Sequence, residues 1–411
     1  MQINDILTGF YFFGFLLGGV LCAALLAGSP GRQFANRWLA LLVAVISIFV
    51  LRKIPFSSGF ILNYPHFMGL YPLAFALGPL LYLYTRALAR GEMRFNRASG
   101  IHFVPMVLVF LSLIPLYALS TEDKHKVATA YFTGEFAEEI RLLGLWGYSI
   151  VLLSWLHFSC YCFAVIQLLR RHEVHILDQF SDLEKVSLQW LRLLTHFCLL
   201  VAMVGLAVHL LAFLLHYPLS SSITLYTEIL LVLLIYVVGY MGLRQPAIFQ
   251  PVLEGSPPTG IASPSDPQSA PEQAYTSDEA DTKYEKSSLT DGAAKAYKAD
   301  LLELMARDKP FLDSDLTLSK LTECSGIPHH HLSQVINAKL GRNFYDFINQ
   351  YRVEIAKELL ADPQKSGVAI IDIAMAAGFN NKNSFYKAFR NQVAMTPAEY
   401  RRQQLKTGTE H

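Results

Sequence analysis

Polar and aromatic side chains are interleaved in the stretch GFNNKNSFYKAFRNQ, residues 378–392. At about 3.6 residues per helical turn, Phe385 and Phe389 share one helix face, whereas Asn383 and Lys387 lie on the opposite face. An Asn side chain pairs bidentately with adenine, and Lys reaches the acceptor atoms of guanine. The pattern therefore predicts a helix that packs on a small domain through its aromatic face and offers its polar face to nucleic acid.

A related arrangement occurs earlier, in LTLSKLTECSGIPHHHLSQVINAKLG, residues 316–341. It predicts a short helix from Leu318 to about Cys324, a turn at Gly326 and a second helix that Pro328 opens, because the missing N–H of proline would be unpaired there anyway. Opposite the apolar face of this second helix lie His330, Gln334 and Asn337. The stretch is a first helix-turn-helix unit.

The second unit is IIDIAMAAGFNNKNSFYKAFRNQ, residues 370–392, with its turn at Gly378 and Asn380 as the predicted N-cap of its second helix. Between the units, residues 344–360 predict one longer amphipathic helix with these inward side chains: Phe344, Phe347, Ile348, Tyr351, Ile355 and Leu359. Two such units joined by one helix predict an all-α, DNA-binding domain. The second helix of each unit is called its reader helix below.

Residues 297–403 resemble the AraC-type (AraC/XylS) transcription regulators of bacteria. The resemblance rests on LSQVIN at 332–337, on YRVEIAKELL at 351–360, and on the ordered run IAMAAGF, FYKAF and TPAEYR within 373–401. Two positions depart from the family, which usually has Ser at Pro328 and Gly at Ala394. The family's usual sensing domain is a soluble β-barrel, and the resemblance implies that the preceding segment takes its place here.

Contacts with DNA follow from this resemblance and from the helix faces. The family's groove-facing positions align with His330, Gln334, Lys382, Asn383 and Lys387. Together with Asn337 from the helix face, the predicted base contacts are His330, Gln334, Asn337, Lys382, Asn383 and Lys387. Phosphate contacts are predicted for residues toward or beyond the end of the second reader helix, namely Arg390, Arg401 and Arg402.

The chain before this domain has the composition of a membrane protein. The whole sequence is 53% hydrophobic and 16% charged, whereas soluble proteins average about 25% charged residues. Seven apolar stretches have about the length needed to cross a bilayer: 6–27, 34–51, 67–88, 101–119, 143–169, 191–216 and 223–243. Seven in series favour a seven-helix transmembrane bundle over buried helices of a soluble protein.

If the N-terminus lies outside, the connecting segments on the cytoplasmic side hold most of the Lys and Arg residues found between the spans. Because connecting segments inside the cell are usually the more basic ones, this distribution predicts an outside N-terminus and a cytoplasmic C-terminus. The first residues, MQIND, lack Lys and Arg, so we interpret the first stretch as a span rather than a signal peptide. The predicted location is the bacterial cytoplasmic (inner) membrane, with several spans and the DNA-binding domain in the cytoplasm.

The predicted organisation has four parts. Residues 1–246 form the seven-span sensor region, and 247–292 form a disordered linker rich in Pro, Ser and acids. Residues 293–405 form the double helix-turn-helix domain, and 406–411 form a tail.

Ionisable side chains within spans are costly in lipid and are candidates for function. His209 near the outer end of the sixth span and Glu228 in the seventh have similar predicted depth. The pair predicts either a site for an external signal, such as a polar ligand or pH, or a permanent bond between helices. Both alternatives stay open.

No catalytic motif is present: the sequence lacks HExxH, GxSxG and a P-loop, so we predict no enzyme activity and no cofactor. Neighbouring side chains in the run His329, His330 and His331 diverge by about 100° on a helix and cannot converge on one ion, so no metal is predicted.

The sequence thus predicts a membrane-bound one-component regulator that binds specific DNA in response to a signal sensed by its membrane region. The predicted partners are double-stranded DNA, the lipid bilayer, a small-molecule or physical signal, a second copy of the chain in a homodimer, and RNA polymerase. Two alternatives remain: a membrane receptor whose helical tail binds a protein, and a haem-binding or transport protein that uses the span histidines.

Overall fold

The computed structural model describes residues 3–27, 33–51, 70–91, 97–133, 141–184, 186–215, 221–244 and 289–407. Over these residues the chain is helical, which confirms the all-α prediction, and its one β-bridge pairs Phe180 with Thr317 in antiparallel fashion. The predicted linker lies outside the described residues, except for 289–292.

The chain divides into two compact units. The first comprises Met1–His172 and Leu188–Pro251, and the second comprises Glu173–Ser187 and Val252–His411. The second unit therefore includes, besides the C-terminal domain, a short segment from the middle of the chain. This segment contacts residues that lie more than one hundred positions further along the chain. The association was therefore not part of the predicted organisation.

The first unit contains nine described α-helices. Their bounds are α1 Ile3–Leu26, α2 Gln33–Leu51, α3 Ala74–Arg90, α4 Val104–Ser112, α5 Ile114–Ala118, α6 Thr121–Thr133, α7 Arg141–Leu177, α8 Gln189–Leu215 and α9 Ser221–Arg244, with a 3₁₀ helix, Arg97–Phe103, before α4. The end of α7, from Glu173, belongs to the second unit.

Five helical stretches in the described part of the chain are long and apolar enough to cross a membrane: Thr8–Leu26, Phe34–Leu51, Arg97–Ala118, Leu145–Leu177 and Gln189–Leu211. They correspond to the first, second, fourth, fifth and sixth predicted spans. The third predicted span is represented by the 17 residues of α3, and the seventh by the shorter apolar stretch Val232–Arg244. The count of seven spans therefore stays a prediction.

Small residues allow three helices of the first unit to approach closely. α1, α2 and α9 contact one another. A side chain added at Gly18 would collide with Ser47, and one added at Gly242 would collide with Leu39. Glycine at these positions is typical of helix packing in membranes, where small residues let backbones meet.

The C-terminal part of the second unit contains seven α-helices among its described residues. They are α10 Asp291–Arg307, α11 Leu318–Ser325, α12 His329–Gln334, α13 Phe344–Ala361, α14 Ile370–Ala376, α15 Lys382–Val393 and α16 Pro397–Thr407. A wider, π-helical segment, Val335–Lys339, continues α12. The two predicted helix-turn-helix units thus correspond to α11 with α12 and to α14 with α15.

Two apolar clusters form the core of this domain. One surrounds α11 and α12 and includes Leu321, Leu332, Ile336, Phe344, Phe347 and Ile348. The other surrounds α14 and α15 and includes Val353, Ala356, Leu360, Ile373, Phe385 and Phe389. Because α13 contributes its first half to one cluster and its second half to the other, it fixes the two helix-turn-helix units relative to each other.

Side-chain caps start several helices of the domain, among them α11 and α15. Thr317 accepts a hydrogen bond from the backbone N–H of Lys320 at the start of α11, at 3.2 Å. At the start of α15 the cap is Asn381, whose Oδ1 accepts from the N–H of Ser384 at 2.7 Å. The prediction of Asn380 as this cap is wrong by one residue, because the side chain of Asn380 has a different partner, described below.

Candidate nucleic-acid interface

The first reader helix, α12 with its π-helical continuation, is divided into a buried and an exposed face. Leu332, Val335 and Ile336 are buried in the first core cluster. The predicted base contacts His330, Gln334 and Asn337 are all exposed. The helix therefore offers imidazole and amide groups to solvent along one side.

The second reader helix, α15, has the same division. Phe385 and Phe389 are fully buried, at 0% exposure, and anchor the helix to the second core cluster. The predicted base contacts on this helix, Lys382, Asn383 and Lys387, are exposed. The ammonium group of Lys382 lies 5.3 Å from the ring centroid of Tyr386, which supports the side chain without removing it from solvent.

Ion pairs neutralise some cations of the domain and leave others available. Lys320, for example, pairs with Asp313 at 2.9 Å. Four exposed cations on or after the second reader helix form no ion pair with any residue that the structure describes: Lys382, Lys387, Arg390 and Arg402. Their charge is available to phosphate groups.

Glu399, the acidic residue nearest Arg390 and Arg402 in sequence, is engaged in a helix cap. Its Oε2 accepts hydrogen bonds from the backbone N–H and the hydroxyl of Thr396, both at 2.8 Å. The N–H of Glu399 in turn donates to Oγ1 of Thr396, which completes a capping box at the start of α16. The hydrogen bonds from Thr396, with a smaller contribution from Arg402 and Arg390, lower the pKa of Glu399.

Arg401 is placed differently from the other predicted phosphate contacts. It is half-buried, and its Nη1 donates to the carbonyl oxygens of Ser366 and Val368, at 3.2 and 2.8 Å. These bonds hold the loop before α14 against α16. Arg402, the next residue, is exposed.

Arg352, in the middle of α13, is a buried cation that the sequence reasoning missed. It is 1% exposed, and its guanidinium donates to the carbonyl oxygens of Phe311 and Asp313, both at 2.7 Å. It also donates to the carbonyl and hydroxyl oxygens of Ser181, at 3.3 and 3.1 Å. Burial lowers the pKa of Arg352 to about 10, so the side chain stays charged at neutral pH.

The partner of Arg352, Ser181, belongs to residues 179–182, here called the docking segment. Its backbone runs beside the start of α11: the N–H of Leu318 donates to the carbonyl of Gln179 at 3.0 Å, and the N–H of Ser181 donates to the carbonyl of Leu316 at 3.4 Å. The hydroxyl of Ser181 donates to the same carbonyl of Leu316 at 2.6 Å, and Ser181 is 1% exposed. The docking segment is thus built into the domain core.

Asp182, the last residue of the docking segment, lies at the N-terminus of the second reader helix. Its Oδ2 accepts from Nδ2 of Asn380 at 2.7 Å. Its Oδ1 accepts from the hydroxyl of Ser384 at 3.0 Å and from Nδ2 of Asn381 at 3.4 Å. One carboxylate therefore occupies three donors that flank the predicted base contacts Lys382 and Asn383.

A sequence signal for Arg352 existed. Arg352 follows the inward-facing Ile348 by four residues and precedes Ile355 by three, so the helix period places it on the buried side. Asp182 carried no comparable signal, because its partners lie 198 to 202 residues away.

Of the predicted sensing pair, only one side chain is described. Nδ1 of His209 donates to the carbonyl of Gly205 in its own helix at 2.8 Å, and the ring lies 6.0 Å from the ring of Trp155, between centroids. The side chain of Glu228 lies outside the described part, so the pair stays a prediction.

No group of three or more metal-ligating side chains occurs in the described ranges.

Comparison with known proteins bears on the C-terminal domain. A family model described as a helix-turn-helix domain matches residues 321–403, which span α11 to α16. An HTH-type transcriptional regulator of Staphylococcus aureus (strain COL), described as uncharacterized, is 38% identical over 87 residues, which are 21% of this chain and 11% of that protein. The HTH-type regulator YtdP of Bacillus subtilis (strain 168) is 29% identical over 91 residues, or 22% of this chain and 11% of its own.

The chain therefore spans about a ninth of the length of these curated relatives. No solved structure matches the chain. The matches establish a helix-turn-helix domain at the C-terminus.

Proposed function

We propose that the protein is a membrane-bound transcription regulator of the AraC type, which binds specific DNA through its C-terminal domain and responds to a signal received by its membrane region. The observation that carries the proposal is the pair of reader helices, each anchored by a buried apolar face and each exposing polar or basic side chains. Relatives with the same domain are named HTH-type transcriptional regulators, which supports the regulatory role.

The distribution of charge favours DNA over a protein partner for this surface. Asn, Gln and His donors, together with cations in no ion pair with a described residue, suit base edges and phosphates. A surface that binds another helix would need exposed apolar anchors at helical spacing. On α15 the large apolar side chains are instead buried in the second core cluster.

Apolar helices support a location in the inner membrane. Several carry large apolar side chains that are exposed in the isolated chain, among them Phe12, Leu108, Phe163 and Leu200. Exposed apolar surface on long apolar helices is stable in lipid and unstable in water. In this proposal the membrane region receives the signal, and His209 with Glu228 are candidates for receiving it.

A DNA-binding assay on the fragment 289–411 tests the regulatory part of the proposal. We expect it to bind a duplex selected from a random pool, with an affinity that falls steeply as salt rises, because phosphate contacts release counterions. Fluorescence anisotropy at several salt concentrations measures the slope. A folded fragment that binds no duplex, even at low salt, would contradict the proposal and would favour a protein partner.

A further inference from the structure

The donors that hold Asp182 are of the kind that hold a DNA phosphate. Two amide groups, from Asn380 and Asn381, and the hydroxyl of Ser384 converge on its carboxylate at the N-terminus of α15. Side-chain amides, hydroxyls and helix N-termini are common phosphate contacts, because the helix end carries a partial positive charge and unpaired N–H groups. The carboxylate thus supplies an anion at a position suited to a phosphate.

Asp182 also lies beside the residues predicted to read bases. Asn381 and Ser384, which it contacts, bracket Lys382 and Asn383 in the sequence of α15. A phosphate that approached this helix end would meet the negative charge of Asp182 and would find the three donors occupied. DNA and Asp182 therefore cannot both use the N-terminus of α15.

The docking segment is held by more than this carboxylate. Backbone hydrogen bonds join it to Leu316 and Leu318, and Ser181 is bonded to the buried guanidinium of Arg352. The segment follows directly on α7, which predicts that it is attached to the end of a membrane span. An attached ligand competes at a high effective concentration, so one carboxylate can compete with free DNA.

We propose that the docking segment is an intramolecular competitor of DNA, which occupies the N-terminus of the second reader helix through Asp182 and holds the domain in a state of low DNA affinity. A change in the membrane region that withdraws the docking segment raises this affinity. The inference rests on the proposed function, and it assigns to residues 179–182 the regulation of the DNA site.

The test compares two variants of the full chain in lipid nanodiscs. Asp182→Asn removes the charge of the competing group. Glu184→Gln removes the same charge two residues further on, from an exposed side chain with no hydrogen bond or ion pair to any described residue. The probe is a labelled duplex of random sequence, about three helical turns long, and the measurement is fluorescence anisotropy.

We expect Asp182→Asn to bind the duplex about tenfold more tightly than the unaltered chain, as the loss of a charge-assisted contact implies. Glu184→Gln should stay within about twofold, since screened surface charge has a small effect. Equal gains in both variants would show a general charge effect and would overturn the inference. No gain for Asp182→Asn, while the unaltered full chain binds the duplex at low salt, would also overturn it and leave the proposed function standing.

Hydrogen exchange provides a second measurement that does not depend on how the variants fold. In the unaltered chain the backbone N–H of Leu318 is protected by the carbonyl of Gln179. A saturating amount of the duplex should increase the exchange of this amide, because bound DNA displaces the docking segment. Bound DNA with unchanged exchange at Leu318 would contradict competition. If the full chain binds no duplex, even at low salt, the proposed function fails as well.

Discussion

Gln334 and Asn383 place amide side chains on exposed positions of two different reader helices, whereas Arg402 lies in α16, beyond the second reader helix. An amide that pairs with a base edge contributes sequence preference, while a guanidinium on a phosphate does not. Gln334→Ala or Asn383→Ala should therefore weaken binding to a selected site by about 1–3 kcal/mol. Each variant should also relax the base preference in the part of the site that its reader helix contacts. Arg402→Ala should weaken selected and random duplexes alike.

The measurement is a selection from a random pool with each variant, followed by anisotropy on the selected and a scrambled duplex. Arg401→Ala is the comparison variant for Arg402→Ala, because the guanidinium of Arg401 already donates hydrogen bonds to the carbonyl oxygens of Ser366 and Val368. If the alanine variants of the amides and of Arg402 lose selected and random duplexes in equal proportion, the assignment of base contacts is wrong.

Individual residues also show how far sequence reasoning reaches. Periodicity correctly separated the buried faces of the reader helices from their exposed faces, because the helix period is local. It selected the wrong one of two adjacent Asn residues as the cap of α15, Asn380 instead of Asn381, since both can adopt that role. The bond between Arg352 and Ser181 spans 171 residues, and no local rule predicts it.

The turn between α14 and α15 depends on one glycine. Gly378 has φ +93°, and a Cβ there would lie 2.5 Å from the carbonyl oxygen of Phe311, which is a hydrogen-bond acceptor of Arg352. Gly341 has φ +67° with open space around a Cβ. The two positions separate the cost of a left-handed backbone from the cost of a collision.

We expect Gly341→Ala to lower the free energy of unfolding of the fragment 289–411 by about 1 kcal/mol, from backbone strain alone. Gly378→Ala should lower it by about 3 kcal/mol or more, because the neighbouring backbone must also shift. Urea unfolding followed by circular dichroism measures both. An equal decrease in the free energy of unfolding of the two variants would show that the close approach of Gly378 to Phe311 does not affect stability.

At the end of α15, Ala394 adopts a left-handed conformation with φ +60°. The resemblance to AraC-type regulators expects glycine at this position, and the structure supplies the reason: a helix C-cap in this conformation favours a residue without a Cβ. The local departure therefore leaves the cap in place at a modest cost in stability. The helix is retained because its aromatic face is buried.

For the whole molecule, the orientation of the chain in the membrane is the property that decides whether DNA is accessible. The outside N-terminus and seven spans that we propose place Lys126 outside, and Arg94 and Pro251 inside. A reporter enzyme that works only in the periplasm should be active when fused after Lys126. It should be inactive after Arg94 or Pro251.

A second reporter, active only in the cytoplasm, provides the matched control and should give the opposite pattern at the same three positions. Periplasmic activity after Pro251 would place the helix-turn-helix domain away from DNA and would end the proposal. The predicted span at 67–88 is the critical one, since its helix, α3, has 17 residues and is shorter than the five stretches that are long enough to cross a membrane.

Composition and hydropathy predicted the apolar helices at this scale because the length and apolar content of a helix are local properties of the sequence. They did not predict that Glu173–Ser187 would group with the C-terminal domain. That association depends on specific hydrogen bonds between surfaces far apart in sequence, which composition does not encode.

The shared helix α13 has a consequence for the operators that such a domain would recognise. Because Phe344 to Ile348 belong to one core cluster and Val353 to Leu360 to the other, the two reader helices cannot slide apart without opening a core. An extra base pair between the two half-sequences would turn one of them by about a tenth of a helical turn. DNA sites for this domain should therefore share the same number of base pairs between their two half-sequences, even where the bases themselves differ. If that number changes, the DNA rather than the protein must bend or twist to bring both half-sequences to the reader helices.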